Sequence, residues 1–515
     1  MDARQDNKRI ALNTIFLYLR QLLVMVISLY TSRLVLKELG VEDFGIYNVI
    51  GGFVALLSVI SGSLSAAMSR FYTFELGRKD INQLRLVFST SISVLLTLAI
   101  IIFVLGEILG TWAINDFLVI PSSRHSIAYI VLQASIVAFI FNLLSSPFSG
   151  AIMAYEKMKT FAYFGVFDAV CKFIIAFSLR FVSCDKLEVF SILQTFLSLI
   201  LLLSYVIYCK KHLEGCTLSV RFDKNVFYSL SKYASWSMFG MMSFVGYTYG
   251  YNIILNIFFG PVVNAARGVA VQVQNAIMGF ANNFQASMNP QIIKNYANEN
   301  MERMHALVLA CSRYSFYLML LLALPVILEA DVILGIWLVE IPPHTVAFVR
   351  IVLFTICIEV LAGPLICSQN ATGNIKMFQI ATGLTMLFSL PVCYLAFKLG
   401  ATPEYLYYIY TLFTLITLVI RIYITCPYVG ISINKYIKEV ISNVILVSVL
   451  SLPIPLLVYY SLRNVSLHLI IVCISSVICV SIVVFYVGMR QNERQLVISK
   501  LSNMYKQHFG HANNK

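Results

Sequence analysis

Gly40-Val41-Glu42-Asp43-Phe44-Gly45 and, 220 residues further on, Gly260-Pro261-Val262-Val263-Asn264-Ala265 decide how this chain is organised. Each is a short glycine-led break between two apolar runs. Each is followed at the same distance by a second pair of similar stretches, Leu64-Ser65-Ala66-Ala67-Met68-Ser69 and Phe284-Gln285-Ala286-Ser287-Met288-Asn289. Six apolar runs of membrane-spanning length separate the copies. Six is even, so both copies cross in the same direction. The expected plan is a parallel repeat of six spans plus six, with two more at the end. Chance likeness between apolar sequences is the competing explanation. Repeated halves in transporters commonly enclose the cargo path at their interface.

Composition supports spans rather than soluble domains. Of 515 residues, 59% are hydrophobic and 12% charged, and mean hydropathy is +0.82. Soluble chains carry about 25% charged residues, which they need to cover a wet surface. Apolar runs of about 20 residues, enough to cross a bilayer core, are expected near 10–36, 44–69, 86–109, 127–147, 161–182, 189–208, 233–259, 262–288, 306–328, 345–367, 378–397, 405–426, 437–460 and 467–487. The expected fold is an all-α polytopic membrane protein of about 14 helices. Residues 1–215 form an N-lobe of six spans and 216–430 a C-lobe of six. Residues 431–490 hold the last two spans, and 491–515 are a basic cytoplasmic tail.

The net charge of +13 reads as topology rather than nucleic-acid binding. With the N-terminus inside, the inner segments hold 24 basic residues and the outer loops 6, namely Arg33, Lys37, Arg124, Lys186, Lys398 and Arg463. Lys and Arg gather on the cytoplasmic side, so both termini are expected there. The first apolar run is too long for a signal-peptide core and is expected to be retained. The 11 cysteines show no Cys-x-x-Cys pair and no metal spacing, so neither disulfide nor zinc is assigned.

With Arg33 and Lys438, at the ends of their spans, counted in the adjoining loops, seven basic residues fall within the spans: Arg20, Lys172, Arg180, Arg267, Arg313, Arg350 and Arg421. Interior acids are Asp168 and Glu359, a surplus of five positive charges. A cation at mid-bilayer costs at least about 2.5 kcal/mol, so this surplus points to a wet, electropositive cavity for an anionic ligand. Arg180, Arg350 and Arg421 are near span ends and can snorkel. Arg20, Lys172, Arg267 and Arg313 are the candidates for the ligand's charge. Asp168 and Lys172 are four apart on one helix face, which equally suits a pair that neutralises itself. Arg20 could instead bond to backbone or a neighbouring helix. Glu359 and Asp168 are candidates for ion coupling.

Polar side chains of the eighth span, Gln272, Asn275 and Asn282, share one helical face with Gly279 and Ala286. They suit a sugar-lined wall or interhelical hydrogen bonds. The second span offers Asn48, Gly51, Ser58, Gly62 and Ser65 at the equivalent place. In Gly246-Tyr247-Thr248-Tyr249-Gly250-Tyr251, the glycines suit close helix packing, and Tyr247 and Tyr251 suit contact with sugar rings. Pro325, Pro364, Pro391, Pro453 and Pro455 are expected to kink spans. No Walker loop, dinucleotide-binding glycine pattern, Gly-x-Ser-x-Gly or Asp-x-Asp occurs. No enzyme activity and no cofactor are expected, beyond H+ or Na+ coupling.

The run from Asn13-Thr14-Ile15-Phe16 through Arg33-Leu34-Val35-Leu36-Lys37-Glu38-Leu39-Gly40-Val41-Glu42-Asp43-Phe44-Gly45-Ile46-Tyr47 resembles the opening of polysaccharide flippases. The exit Ser65-Ala66-Ala67-Met68-Ser69-Arg70-Phe71 is similar too. The resemblance is to the O-antigen and capsule oligosaccharide flippases of the multidrug/oligosaccharidyl-lipid/polysaccharide (MOP) superfamily. It implies two six-helix lobes around a V-shaped cationic cavity, alternating access, and an undecaprenyl-pyrophosphate-linked oligosaccharide as cargo. Implied partners are membrane lipids and a polysaccharide polymerase with other assembly proteins. A drug exporter of the multidrug and toxin extrusion (MATE) type shares this architecture but would favour an acidic cavity. A membrane-embedded polymerase or ligase is the third alternative and would need a longer external loop.

Overall fold

The computed structural model describes residues 3–55, 58–112, 114–115, 122–216, 222–338, 341–462 and 467–491, with 493–495 and 498 of the tail. The α-helices are α1 (Ala3–Ala55), α2 (Ser58–Arg78), α3 (Ile81–Trp112), α4 (His125–Ala154), α5 (Met158–Ser178), α6 (Lys186–His212), α7 (Lys224–Ala297), α8 (Met301–Leu328), α9 (Ala330–Trp337), α10 (Thr345–Glu359), α11 (Ala362–Thr372), α12 (Lys376–Lys398), α13 (Tyr405–Tyr428), α14 (Ile433–Tyr436), α15 (Ser442–Ser451), α16 (Pro453–Ser461) and α17 (His468–Val483). No strand occurs among the described residues. Among the described residues, ten helical stretches are long and apolar enough to cross a membrane. The other spans lie in α1 and α7, which run for 53 and 74 residues. A bilayer core takes about 20. Counting two limbs for each, the described helices are consistent with the fourteen expected spans.

Both long helices break at a glycine. Gly40 has φ 80° and ψ 170°, and Gly260 has φ 75° and ψ −172°. Only glycine enters this region at low cost, because a Cβ there meets its own backbone. These are the paired positions of the sequence repeat. The match continues at the other end of the unit. Lys79 and Glu299, also 220 apart, have φ 59° and 58°. The Asp80 N–H donates to the Glu75 carbonyl at 3.1 Å, and the Asn300 N–H to the Asn295 carbonyl at 2.9 Å. Asp80 then caps α3 through the Gln83 N–H at 2.9 Å, as Asn300 caps α8 through the Arg303 N–H at 3.3 Å. Chance likeness between apolar sequences does not reproduce a break, a left-handed residue and a cap at one offset.

Three prolines free carbonyls that find new donors. A proline leaves the carbonyl four residues earlier without its helical partner. Pro364 frees the Val360 carbonyl, which takes the Gln285 Nε2 at 2.9 Å, and the tenth span breaks there into α10 and α11. Pro147 frees the Leu143 carbonyl for the Ser146 Oγ at 2.7 Å. Pro455 frees the Ser451 carbonyl for the Cys479 Sγ at 3.5 Å.

The chain divides into two compact units. The first comprises Met1–Val245, Ala286–Met304 and Cys367–Gly383. Its core joins Met68, Tyr72, Leu84, Phe88, Leu95, Phe148, Ile152 and Tyr233. A second cluster joins Leu34, Ile46, Ile50, Val131, Leu132, Ile136 and Phe190. Gly106 and Gly110 let α3 approach α4, since a Cβ at either would lie 3.0 Å from Ile136 Cδ1 or 2.6 Å from Leu132 Cδ1. On the expected outer side, Arg124 bridges Asp43 and Asp185. Glu38 accepts from Arg180 Nε at 2.9 Å and Lys186 Nζ at 3.1 Å. The Arg180 and Lys186 bonds hold the Glu38 carboxyl below the usual range. Its stabilisation is therefore present above the unfolded-state pKa of about 4.3 and disappears as pH falls through the lower folded value. Glu38→Gln is expected to flatten the acid limb of the thermal-midpoint profile below about pH 4.3. An unchanged limb would mean that these contacts carry no stability.

The second unit comprises Gly246–Gln285, His305–Ile366 and Leu384–Lys515. Gly246 and Gly250 bring α7 against α12: a Cβ at Gly246 would lie 3.1 Å from Leu387 Cδ2, and at Gly250 2.7 Å from Leu390 Cδ1. The glycine pair thus serves helix packing. Gly250→Val is expected to cost about 1–3 kcal/mol by overpacking. An unaltered thermal midpoint would mean that α12 yields freely. Arg313 of α8, 2% exposed, donates Nη2 to Glu493 at 2.9 Å. Its Nη1 reaches the Gly488 carbonyl at 3.4 Å. The chain end after α17 is thereby fastened to α8. Most of the expected basic tail, 499–515, lies outside the described residues.

Candidate functional site

Two polar clusters stand out, one in each unit. In the first, α1 packs along α5 and brings Arg20 over the Phe161 ring, with Cζ 4.6 Å from its centroid. The Arg20 Nε is buried and makes no hydrogen bond. Tyr205 of α6 and Asp168 of α5 lie within electrostatic range. Gly165 makes room for this arrangement: a Cβ there would overlap Nε and sit 3.1 Å from Cδ of Arg20. One turn on, Lys172 Nζ pairs with Asp168 Oδ2 at 2.8 Å, with both side chains partly exposed. Lys159 lies 5.7 Å from the Phe16 ring centroid and 5.6 Å from that of Tyr163. The face carries three cations against one carboxylate. It suits an anionic group, with aromatic surface beside it.

In the second unit, Glu359 sits at the break between α10 and α11. Tyr410 donates its hydroxyl to Glu359 Oε2 at 3.0 Å. Tyr247 and Tyr410 are in hydrogen-bond contact, and Arg421 lies within electrostatic range of Glu359. The rings of Tyr247, Tyr251 and Tyr410 cluster with centroids 5.9, 6.3 and 6.0 Å apart. Tyr251 shares a 2.5 Å hydrogen bond with Ser389. Arg267, 6% exposed, donates to the Asn252 side chain and to the Thr248 carbonyl, the latter at 3.1 Å. The Nε atoms of Arg267 and Arg421 are buried without a hydrogen bond.

This geometry revises the charge count. Arg180 pairs with Glu38, Arg350 with Asp331, Arg313 with Glu493 and Lys172 with Asp168. Acids outside the spans supply three of these partners, which a count confined to spans omits. Arg20, Arg267 and Arg421 remain without an ion pair among the described residues, against Glu359 alone. The surplus of five becomes two. Tyr247 and Tyr251 are 8% and 2% exposed, so they pack on each other and are closed to sugar rings here. Arg421, expected to snorkel, instead faces Glu359 and the tyrosines. Gln272, Asn275 and Asn282 do share an exposed face of α7. The side chains of Asn48, Gly51 and Ser58 lie outside the described residues. Gly165, Tyr410 and Ser389 were not among the sequence candidates. One glycine, one of 29 tyrosines and one serine carry no local signal of their neighbours.

Residues 17–178 match the MatE family model. No curated protein matches by sequence. Among solved structures, an outward-facing multidrug resistance MATE family transporter of the MOP superfamily superposes with TM-score 0.69 at 10% identity, over 82% of this chain and 96% of that one. A MATE structure in the straight conformation gives 0.69 at 11%, over 84% and 97%. A MOP superfamily transporter from Pyrococcus furiosus, described as having a binding pocket of reverse polarity, gives 0.66 at 10%, over 82% and 96%. Helix content, bent paired spans and these superpositions converge: the chain is a multi-pass helical membrane protein with the fold of MATE transporters of the MOP superfamily.

Proposed function

We propose that this protein exports an amphiphile with an anionic head, of the lipid-linked oligosaccharide class, by alternating access of its two repeated halves. The observation that carries the cargo class is Arg20, a guanidinium with a buried, unpartnered Nε and no ion pair among the described residues. A pyrophosphate oxygen supplies the acceptor that Arg20 lacks, and Lys172 and Lys159 add charge nearby. Arg313 is engaged with Glu493 and is left out of this role; Arg267 already has two acceptors. On this reading the membrane is a bacterial inner membrane, assembly enzymes such as a polymerase are partners, and both termini lie in the cytoplasm, which the excess of basic residues in the inner segments supports.

A second reading, export of organic cations, is favoured by the MatE match and by the multidrug transporters it superposes on. These comparisons support it better than they support the glycolipid reading. In the structure it draws on Glu359 within the tyrosine cluster, an acid and π surfaces that suit a lipophilic cation or a coupling proton. The two readings separate in one deletion strain. Lipid-linked oligosaccharide accumulating on the inner membrane face supports the first. Unchanged glycolipid, with loss of drug-cation efflux that Glu359→Gln also abolishes, replaces it with the second.

A further inference from the structure

The first unit contains more than the first six spans: Ala286–Met304 and Cys367–Gly383 belong to it as well. Those segments follow the eighth and tenth spans, on the side that the basic residues mark as inner. They are bound by buried polar contacts. Glu156, at the end of α4, has a side chain 1% exposed that accepts from Lys294 Nζ at 2.6 Å and Gln291 Nε2 at 2.7 Å. Its left-handed backbone, φ 58°, favours glycine, so a carboxylate here is carried at a backbone cost. Arg70, 9% exposed, donates Nε to the Asn370 carbonyl at 3.2 Å and Nη2 to the Ala371 carbonyl at 2.8 Å. These are last-turn carbonyls of α11, where a cation is favoured. Phe71 and Phe74 flank the guanidinium at 4.7 and 4.6 Å. Thr14 and Ser287 share a 2.8 Å hydrogen bond. A Cβ at Gly77 would lie 2.8 Å from Ala297 Cβ, so the helices touch.

We infer that these contacts are a lock on the inner side, with Glu156 and Arg70 as its two catches, which must open before cargo enters from that side. The inference rests on the transport reading, but not on its cargo. Polar catches suit this role. A buried carboxylate exchanged for water on opening regains solvation, whereas an apolar seam of the same area would stay shut. The eight hydrogen-bonded residues come from segments 135 to 301 positions apart, so separation of the segments breaks all the contacts together.

Cross-linking tests it. Thr14→Cys with Ser287→Cys, in a chain whose eleven native cysteines are replaced by alanine or serine, sets two sulfurs where the hydroxyls now meet, within disulfide reach. Mild oxidation in native membranes is expected to join them. Glu156→Gln with Lys294→Gln is expected to lower the cross-linking rate several-fold, and Glu156→Lys with Lys294→Glu to restore it. Joined cysteines are expected to halt export until reductant is added. No cross-link in the parent, a rate indifferent to Glu156→Gln with Lys294→Gln, or full export by the joined protein would each overturn the lock. A cross-link that forms and responds to Glu156→Gln with Lys294→Gln, in a protein that exports no glycolipid even when reduced, supports the lock and overturns only the cargo reading.

Discussion

Gly40→Ala and Gly260→Ala are each expected to destabilise the protein by about 1–3 kcal/mol, the cost of holding a side chain in a glycine-only backbone region. No heavy atom lies within 4 Å of a Cβ built at either position. Steric crowding therefore contributes nothing, and the whole effect comes from φ and ψ. The alternative for the mutant is to straighten, which would carry the second limb of α1 or α7 away from its neighbours. Thermal unfolding in detergent measures the cost. The repeat makes the further demand that both substitutions behave alike, and that the double variant loses about the sum, since the breaks are in different units. A Gly260→Ala protein as stable as the parent would mean that the break is not the native conformation.

The second large effect is on transport. Arg20→Ala is expected to cut export roughly 10–100-fold at unchanged protein level, from the loss of one or two charge-assisted hydrogen bonds of about 1.5–3 kcal/mol in all. Gly165→Ala is expected to reproduce much of that loss while leaving the arginine in place, because the added methyl occupies the position of its Nε. The added methyl meets a flexible side chain rather than backbone, so stability should move little. Combining the two should cost no more than Arg20→Ala alone, the mark of two residues acting through one group. Wild-type export by Gly165→Ala would show that the guanidinium works from elsewhere. Wild-type export by Arg20→Ala would remove the anionic-head reading itself.

Legibility in the sequence followed the range of the physics involved. Spanning helices are dictated by about 20 consecutive apolar residues each, a local property, and were legible in number and order, with helix ends up to nine residues beyond the expected spans. The Gly40 and Gly260 breaks were legible because glycine's backbone freedom acts at its own position. Pro325 and Pro391 lie inside α8 and α12, which run on past them, while the helix breaks at Pro364 and at Pro453 were legible too. Their repair was not: the donors at Val360, Leu143 and Ser451 include Gln285, 75 residues away, and only packing selects it. Charge was the weakest guide. Counting cations within spans left out Glu38, Asp331 and Glu493, acids at span ends or in the tail that fold back on Arg180, Arg350 and Arg313.

By itself the sequence determined that the chain crosses a membrane many times, that it carries a repeat at an offset of 220 residues, and where the paired long helices break. Hydrophobic length and glycine conformation act within a few residues, so no tertiary knowledge is needed to see them. Which cations are spoken for, that Tyr247 and Tyr251 are buried against Tyr410, and that Glu156 is held by Lys294 were decided only in three dimensions. Pairing and burial depend on which helix faces meet, and residues up to several hundred positions apart settle that together.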